Sequence, residues 1–263
     1  MTAVGHLDKV KIKRSFAAAA GSYDELAVLQ RQVGLALLEK YPLDASPGVI
    51  LDVGCGTGFL SRQLPVDSSS QHLVALDIAF PMLLASRQKN LNLPVHYLCA
   101  DAESMPFAAH SIRQIYSNLA LQWCQDLPAV FAGCKRVLKF GGQLVFATFG
   151  SSTLRELKSA WAEVDGFAHV NEFYGFEQIN WFLQDAGFQS ISSEVAMYQS
   201  SYPSVMALMR ELKGIGAHNV NMDRNKKPTT RRQLQHMISC YEGNMVGTEV
   251  LASYEIIFVR AQR

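Results

Sequence analysis

Residues 49–58 read VILDVGCGTG, an apolar run that contains one aspartate and ends in three glycines at alternate positions. The apolar run predicts a β-strand buried on both faces, and the glycines predict a tight loop before a helix. Glycine lets the backbone approach a ligand closely because it has no Cβ. The dinucleotide spacing GxGxxG is broken, because position 59 is Phe. Asp52 would also repel a pyrophosphate, so the loop favours a ligand with a neutral or cationic body.

Further apolar runs follow the glycine loop and alternate with helical patterns. The predicted strands lie at 72–78, 95–101, within 111–123 and at 141–149, and the predicted helices at 59–64, 81–90 and 127–138. Strands that alternate with helices in this way indicate a parallel α/β sheet.

Acidic residues stand at or near the ends of the first three predicted strands. Asp77 follows Asp52 by 25 residues, and Asp101 follows Asp77 by 24. Open α/β sheets bind ligands along the carboxyl ends of their strands, so we expect these carboxylates to line one edge. Asp77 could accept hydrogen bonds from both hydroxyls of a ribose, and Asp101 could accept one from an adenine amine. Any one of these aspartates could instead merely cap the next helix.

The composition limits the classes of protein to consider. Of 263 residues, 49% are hydrophobic and 18% are charged, which excludes a disordered chain. No apolar run approaches the roughly 20 residues of a membrane span, and residues 1–16 have no apolar core typical of a secretory signal. Five cysteines, at 55, 99, 124, 134 and 240, form no CxxC pair and no His/Cys cluster. They predict reduced thiols in a cytoplasmic protein without a metal site.

Helical patterns flank the predicted sheet along the chain. Residues 8–41 have apolar residues at helical spacing, and Pro42 ends the pattern. Beyond Gly150 the sequence predicts helices within 151–174 and over 175–188, a strand near 189–198, a basic helical stretch over 202–240, and a last strand over 251–261. The predicted architecture is a nucleotide-binding-like core with helical additions.

Together, the loop and the aspartates resemble the class I S-adenosylmethionine-dependent methyltransferases. The similar motifs are D-x-G-x-G-x-G over 52–58, Asp77, Asp101–Ala102 and RVLKFGGQLVFATF over 136–149. The resemblance implies a Rossmann-like α/β fold with a seven-stranded, mostly parallel sheet, helices on both faces, an N-terminal helical lid and helical cap insertions. It divides the chain into a lid (1–45), a cofactor-binding core (46–150) and a C-terminal part (151–263) with caps at about 151–174 and 202–245.

The same resemblance implies S-adenosylmethionine as the cofactor, with no metal. Asp52 and the glycine loop would face its methionine part, Asp77 the ribose, Asp101 the adenine and Asn118 the sulfonium. The implied cofactor-binding residues are Tyr23, Gln30, Asp52, Gly54, Cys55, Gly56, Asp77, Ile78, Met82, Asp101, Ala102, Ser117 and Asn118.

Motifs along nearly the whole chain are similar to those of the malonyl-acyl-carrier-protein O-methyltransferases of biotin synthesis, the BioC family. They are RSFAAAAGSYD (14–24), LQ (29–30), NLALQW (118–123), FATFGSSTLRELKSAW (146–161), HVNEF (169–173) and LKGIGAHN (212–219). The implied reaction is methyl transfer to a free malonyl carboxylate, which gives a methyl ester. NLALQW is less selective, because it also resembles methyltransferases of small carboxylates such as aconitate.

A carboxylate acceptor is already ionised at neutral pH, so no general base is needed. Removing its water is costly unless a charge or hydrogen bonds replace that water. We therefore expect Arg155 to grip it with two parallel hydrogen bonds, unless Arg155 pairs with Glu156 or faces solvent. Tyr23 would donate a hydrogen bond from the lid. The other predicted substrate-pocket residues are the apolar walls Trp123 and Phe149 and the polar candidates His169, His218, Lys213 and Arg210.

Two basic stretches stand out in a chain whose net charge is +1, with a net charge of +3 over 1–14 and +5 over 204–232. Acyl carrier protein, the partner implied by the resemblance, is acidic, so these stretches could form a rim that steers it. The predicted rim residues are Lys9, Lys11, Lys13, Arg210, Lys213, Arg224, Lys226, Lys227, Arg231 and Arg232. RNA would suit the same patch, but the low overall charge and the lack of an RNA-binding motif argue against it. We expect no nucleic-acid or membrane partner, and a monomer.

Other functions compete with this prediction. A methyltransferase of another small carboxylic acid or of a quinone precursor would share the cofactor motifs. An NAD-type oxidoreductase is disfavoured by the broken glycine spacing. A non-catalytic regulator could retain the three aspartates and bind the ligand without turnover.

Overall fold

Seven strands form one sheet with the glycine loop near its centre. The computed structural model describes residues 7–90, 94–217, 219–221, 228–243 and 249–263. The strands are β1 (Gly48–Val53), β2 (Gln71–Asp77), β3 (Val95–Cys99), β4 (Ile112–Asn118), β5 (Leu138–Phe149), β6 (Gln189–Tyr202) and β7 (Val250–Gln262).

The strand order is β3-β2-β1-β4-β5-β7-β6. The first five strands are parallel, and β7 lies antiparallel between β5 and β6. Chain order reverses between β1 and β4, and open α/β sheets bind ligands in the crevice at such a point. The predicted seven-stranded, mostly parallel sheet is confirmed.

Helices cover both faces of the sheet. They are α1 (Lys9–Ala19), α2 (Tyr23–Leu26), α3 (Val28–Lys40), α4 (Phe59–Gln63), α5 (Phe80–Lys89), α6 (Leu127–Val137), α7 (Arg155–Ala162), α8 (Phe176–Asp185), α9 (Val205–Gly214) and α10 (Arg231–Gly243). Ile50 belongs to the core cluster shared with α3, α7, α9 and α10, and Leu51 to the cluster shared with α6 and α8. Neighbouring residues of a strand point to opposite faces, so β1 is buried on both sides, as its apolar run predicts.

The prediction of one helix over 8–41 is wrong, because three helices occupy this region. The chain turns at residues 20–22, which include Gly21, and again at Ala27, whose ψ is 47°. Glycine and serine favour such turns over a helix interior. The break places Tyr23 at the start of the short helix α2.

The N-terminal helices meet the C-terminal insertions. The segment with α9 and α10 lies between β6 and β7. Leu7 forms an isolated bridge with Asn221, and the Asp8 N–H donates to the Val220 carbonyl at 2.9 Å. A Cβ on Gly214 of α9 would lie 2.2 Å from Leu26 Cδ1, so α2 and α9 approach closely.

Candidate active site

An open cavity of about 750 Å³ lies at the carboxyl ends of the central strands. α1 contributes Lys9, Ile12 and Phe16 to its wall. The predicted cofactor residues that line it are Tyr23, Gly54, Gly56, Asp77, Ile78, Met82, Asp101, Ala102 and Asn118. We call it the cofactor cavity.

Hydrogen bonds donated by its own backbone N–H groups hold the glycine loop in place. The φ angles of Gly54, Gly56 and Gly58 are 69°, 53° and 80°, a region that favours glycine. The N–H groups of these glycines and of Cys55 all donate to acceptors within the protein. None of these four donors is left for a pyrophosphate, which argues against the oxidoreductase alternative.

Asp77, at the end of β2, connects the loop to the next helix. Its Oδ2 accepts the Gly56 N–H at 2.9 Å, and its Oδ1 accepts the Ala79 N–H at 2.8 Å. Burial raises the pKa of Asp77, and these backbone hydrogen bonds oppose that rise. Each carboxylate oxygen keeps a second lone pair for a ligand hydroxyl.

Asp52 is buried behind the loop and lines a small pocket together with Gln30 and Cys55, next to the cofactor cavity. The Ser61 hydroxyl donates to its Oδ2 at 2.6 Å. Burial raises the pKa of Asp52 to about 7, and the negative charge of Asp77 adds to the rise. A cationic ligand group in this region would favour the ionised form.

Replacing Asp52 with Asn should stabilise the ligand-free protein in a pH-dependent way. The folded-state pKa of about 7 lies above that of the unfolded chain. Between about pH 4 and pH 7, the unfolded chain therefore loses its proton first, and Asp52 lowers stability progressively as the pH rises. Above this window the penalty is constant, so the melting-temperature gain of D52N should grow across the window and then level off. Exposed Asp67, mutated to Asn, is the control and should give no gain; parallel curves for D52N and wild type would contradict the prediction.

Asn118, at the end of β4, joins the N-terminal helices to the cavity. Its Nδ2 donates to the Gln30 carbonyl at 2.8 Å. Its Oδ1 is buried without a hydrogen-bond partner in the described part of the chain, so this oxygen can accept from a ligand. Ser117 is a correction: its buried hydroxyl donates to the Val53 carbonyl at 2.8 Å, and Ser117 does not line the cavity, because its side chain points to the opposite face of β4 from that of Asn118.

Asp101, at the adenine end of the predicted site, is paired with a lysine of α1. Lys9 Nζ lies 2.7 Å from Asp101 Oδ2 and 2.9 Å from Glu103 Oε2. Burial alone would lower the pKa of Lys9, but hydrogen bonds to the two carboxylates raise it. Lys9, which was predicted for the basic rim, thus has its ammonium bound to two carboxylates at the cofactor cavity.

Lys9→Met should make local opening of α1 more frequent. It leaves Asp101 and Glu103 without their cation, whereas Lys11→Met removes only a contact with Asp8 at 3.3 Å within the same helix region. For a pair that is about 30% exposed, we expect amide exchange in α1 to accelerate about fivefold. Hydrogen exchange with mass spectrometry measures this, with K11M as the matched control. Equal protection in K9M and K11M would contradict it.

A second open cavity, of about 770 Å³, lies between the sheet and the insertions. It shares Phe16, Tyr23, Leu119 and Trp123 with the cofactor cavity. The predicted substrate-pocket residues Phe149 and His169 line it, and so does Gln30. We call it the acceptor cavity.

Tyr23 lies where the two cavities meet. Burial raises the pKa of its hydroxyl, and the charges of Asp77 and Asp24 raise it further. The phenol therefore stays protonated at neutral pH and can donate a hydrogen bond, but cannot act as a base.

Two predicted cations do not reach the acceptor cavity. The Arg155 side chain is 62% exposed, and its Nε lies 3.3 Å from Glu156 Oε1. Arg155 begins α7 on the solvent side, while its neighbours Leu154 and Leu157 line the cavity. Lys213 is exposed on α9 and does not line it either. His218 lies outside the described residues.

The predicted rim is only partly visible. Lys13, Arg210, Lys213, Arg231 and Arg232 are exposed, and Lys11 is half-exposed and paired with Asp8. Arg224, Lys226 and Lys227 lie outside the described residues.

Neither a metal-binding cluster nor a membrane-spanning helix is present in the described residues. No group of three or more His, Cys, Asp or Glu side chains is arranged there to hold a metal ion. Within the same ranges, no helix is long and apolar enough to cross a membrane.

Comparison with known proteins places this chain in a family. The family model described as "Methyltransferase domain" matches residues 51–146. The malonyl-[acyl-carrier protein] O-methyltransferase of Methylovorus sp. (strain MP688) is 39% identical over 270 residues, which cover 99% of this chain and 91% of that protein. The chain belongs to the malonyl-[acyl-carrier protein] O-methyltransferase family. The predicted family and cofactor class are confirmed: this is an S-adenosylmethionine-dependent methyltransferase.

Other members and neighbours agree with this assignment. The biotin biosynthesis bifunctional protein BioHC of Cellvibrio japonicus (strain Ueda107) is 38% identical over 253 residues, 96% of this chain, but the chain spans only 50% of that protein's length. An S-adenosylmethionine-dependent methyltransferase from Mesorhizobium loti has the same fold, with a TM-score of 0.53, 18% identity, and coverage of 87% of this chain and 96% of the other.

The cofactor cavity of this family member fits S-adenosylmethionine. Asp77 has lone pairs for the ribose hydroxyls, and Asp101 has them for the adenine amine. The unpartnered Asn118 Oδ1 and the nearby carboxyl of Asp52 suit the cationic end of the ligand. We propose these residues as the cofactor contacts. The sequence missed Lys9, Ile12 and Phe16 as part of this wall, since only the packing of α1 brings them there.

Proposed function

We propose that this chain transfers a methyl group from S-adenosylmethionine to the free carboxylate of a malonyl group on acyl carrier protein, an early step of biotin synthesis. Family membership supports the reaction, because relatives are named for this substrate and this pathway. We further propose that it acts in the cytoplasm, where the five cysteines, all free in the structure, would stay reduced.

The observation that carries the proposal is the pair of joined cavities. The cofactor cavity and the acceptor cavity meet at Phe16, Tyr23, Leu119 and Trp123. Two ligands, one in each cavity, would therefore face one another at this junction. Methyl transfer needs such close, in-line placement more than it needs an acid or a base.

S-adenosylmethionine supplies a methyl group on a sulfonium, whose leaving group is a neutral thioether. The acceptor carboxylate is ionised at neutral pH, so the protein need not remove a proton. Its tasks are to aim this carboxylate and to exclude water from it.

Side chains at the junction and in the acceptor cavity are suited to both tasks. Trp123 packs edge-to-face against Phe16 with a centroid distance of 5.2 Å, and Phe149 packs against Phe173 at 5.3 Å. These aromatic rings form apolar walls. Tyr23, protonated at the junction, would donate a hydrogen bond to one carboxylate oxygen and leave the other to attack.

We propose that the exposed cations near the insertions steer the acidic carrier protein. Lys13 and Arg14 extend from α1, and Arg210 and Lys213 from α9, all exposed. Contacts between opposite charges on such surfaces raise association rates and weaken with salt.

An intact-mass methylation assay tests the proposal. The protein is incubated with S-adenosylmethionine and malonyl-, succinyl- or acetyl-loaded carrier protein, with malonyl-CoA in parallel. The expected result is that, among the loaded carriers, only the malonyl carrier gains one methyl group. The malonyl carrier should also be methylated much faster than malonyl-CoA, if malonyl-CoA is methylated at all. The double variant R210E/K213E should raise the KM for the carrier at low salt and leave that for malonyl-CoA unchanged.

No methylation of any carrier, with cofactor binding intact, would overturn the proposal. The next acceptors to test would then be small carboxylic acids and quinone precursors. Equal effects of R210E/K213E on the KM for the carrier and for malonyl-CoA would overturn only the proposal that these cations steer the carrier protein.

A further inference from the structure

The acceptor cavity binds an anion under the proposed function, yet no lysine or arginine lines it in the described part of the chain. Its ionisable lining side chains are Tyr23, His169, Glu211 and Tyr254. Removing water from a carboxylate without a compensating charge or strong donors is costly. Of these four side chains, only histidine can carry a positive charge.

His169 is held in a defined orientation. Its Nε2 lies 2.8 Å from Asp165 Oδ1, and its ring stacks on Trp161 with a centroid distance of 3.8 Å and an interplanar angle of 6°. Its side chain is 14% exposed, so it is mostly buried yet open to the cavity. Within the described ranges, Nδ1 has no hydrogen-bond partner.

Two other carboxylates near the imidazole have partners of their own, a hydroxyl for Glu211 and an ammonium for Glu172. Glu211, from α9, accepts the Tyr202 hydroxyl at 2.7 Å. Glu172, in the chain that follows, lies 3.0 Å from Lys158. Burial acts to raise the pKa of Asp165, but the Phe167 amide and His169 lower it overall, so Asp165 is ionised at neutral pH. Asp165 is thus the anion placed to stabilise a protonated His169.

We propose that protonated His169 is the cation that binds the acceptor carboxylate, with Nε2–H donated to Asp165 and Nδ1–H donated to the substrate. This deepens the proposed function and rests on it. In its neutral form, with the proton on the nitrogen that faces Asp165, His169 would present Nδ1 as an acceptor that repels a carboxylate. Where His169 is neutral before binding, the anionic acceptor therefore takes up one proton from solvent as it binds.

The same proton explains product release. Methylation converts the carboxylate into a neutral ester, so the imidazolium loses one of its two anionic partners. His169 then returns one proton to solvent. His169 would in this way select an acceptor with a free carboxylate over its methyl ester.

The test compares His169→Gln with wild type. Steady-state kcat and KM for the malonyl carrier are measured between about pH 5 and pH 9, which includes the range in which histidine ordinarily loses its charge. In wild type, KM should rise with pH by up to about tenfold per unit. In H169Q, KM should be about 10- to 100-fold higher near neutral pH and independent of pH, with kcat within about fivefold of wild type.

A neutral ligand separates charge recognition from packing. The methyl-ester carrier product is used as a competitive inhibitor, and its Ki should be the same for H169Q and wild type. Asp165→Asn, which keeps the imidazole but removes its anion, should weaken acceptor binding most at high pH. Calorimetry of wild type in two buffers of different ionisation enthalpy, repeated across the same pH range, should show uptake that rises to one proton with the malonyl carrier and none with the methyl ester.

Three results would overturn the inference: an unchanged KM in H169Q, equal losses for the malonyl and ester ligands, or no proton uptake by wild type. The wild-type calorimetry decides the matter even if H169Q folds poorly. Failure of the wild type to methylate the malonyl carrier would instead overturn the proposed function.

Discussion

Gly54→Ala is expected to weaken cofactor binding by about 100-fold or more, because a side chain there meets two separate obstacles. The φ angle of Gly54 is 69°, and an added Cβ would lie 2.2 Å from the Ala120 Cβ. Ala120 is itself part of the cofactor-cavity wall. The loop would have to move away from the segment that follows β4, and the cavity would change shape.

Two further glycines make the comparison informative. Gly56 has a φ of 53° but nothing within 4 Å of an added Cβ, so Gly56→Ala tests backbone strain without the clash. Gly166, in an exposed loop, has nothing within 4 Å and serves as the neutral control. We expect the calorimetric Kd for S-adenosylhomocysteine to be highest for G54A and lower for G56A. The Kd of G166A should equal that of wild type. A G54A variant that binds as tightly as G166A would refute this account.

Asp77→Ala should weaken cofactor binding by a similar factor, about 100-fold. It removes the acceptor proposed for the ribose, and it also frees the Gly56 and Ala79 amides that Asp77 holds. Asp77→Asn should do nearly as much damage, because its NH₂ group would face one of those N–H donors. Asp67→Asn, at an exposed turn, is the control.

A ligand analogue can show which of the two roles dominates. The 2′-deoxy form of S-adenosylhomocysteine lacks one ribose hydroxyl. If Asp77 binds that hydroxyl, wild type should lose affinity for the deoxy form, while D77A should bind both forms equally. An equal loss in both proteins would assign Asp77 to loop support alone.

The strand-end and loop residues at and behind the cofactor cavity could be predicted because their signals are local. The aspartates at the ends of β1 and β2 and the glycines that follow β1 depend on strand ends and turn geometry, which short stretches of sequence specify. Ser117 was misassigned because it stands one residue before Asn118, and alternation along β4 turns its side chain to the opposite face of the sheet.

The acceptor half depends on packing between distant segments, which spacing does not reveal. Arg155 has the chemistry for a carboxylate, but the face of α7 that packs inward carries Leu157 and Trp161 instead. His169 gains its importance from Asp165 and Trp161, and only the turn after α7 brings the three together. From the sequence alone, Lys9 is likewise predicted to be a surface charge. Only the packing of α1 over Asp101 reveals its ion pair.

The N-terminal segment over residues 7–16 is attached to several distant parts of the chain, and this attachment has a thermodynamic consequence. Leu7 and Asp8 are joined to residues 220 and 221, Lys9 to Asp101 and Glu103, and Phe16 lines both cavities. A ligand that orders this segment from either cavity leaves less of its freedom to be lost when the other binds. The two affinities are then linked, and by reciprocity the factor by which cofactor tightens acceptor binding equals the factor by which acceptor tightens cofactor binding.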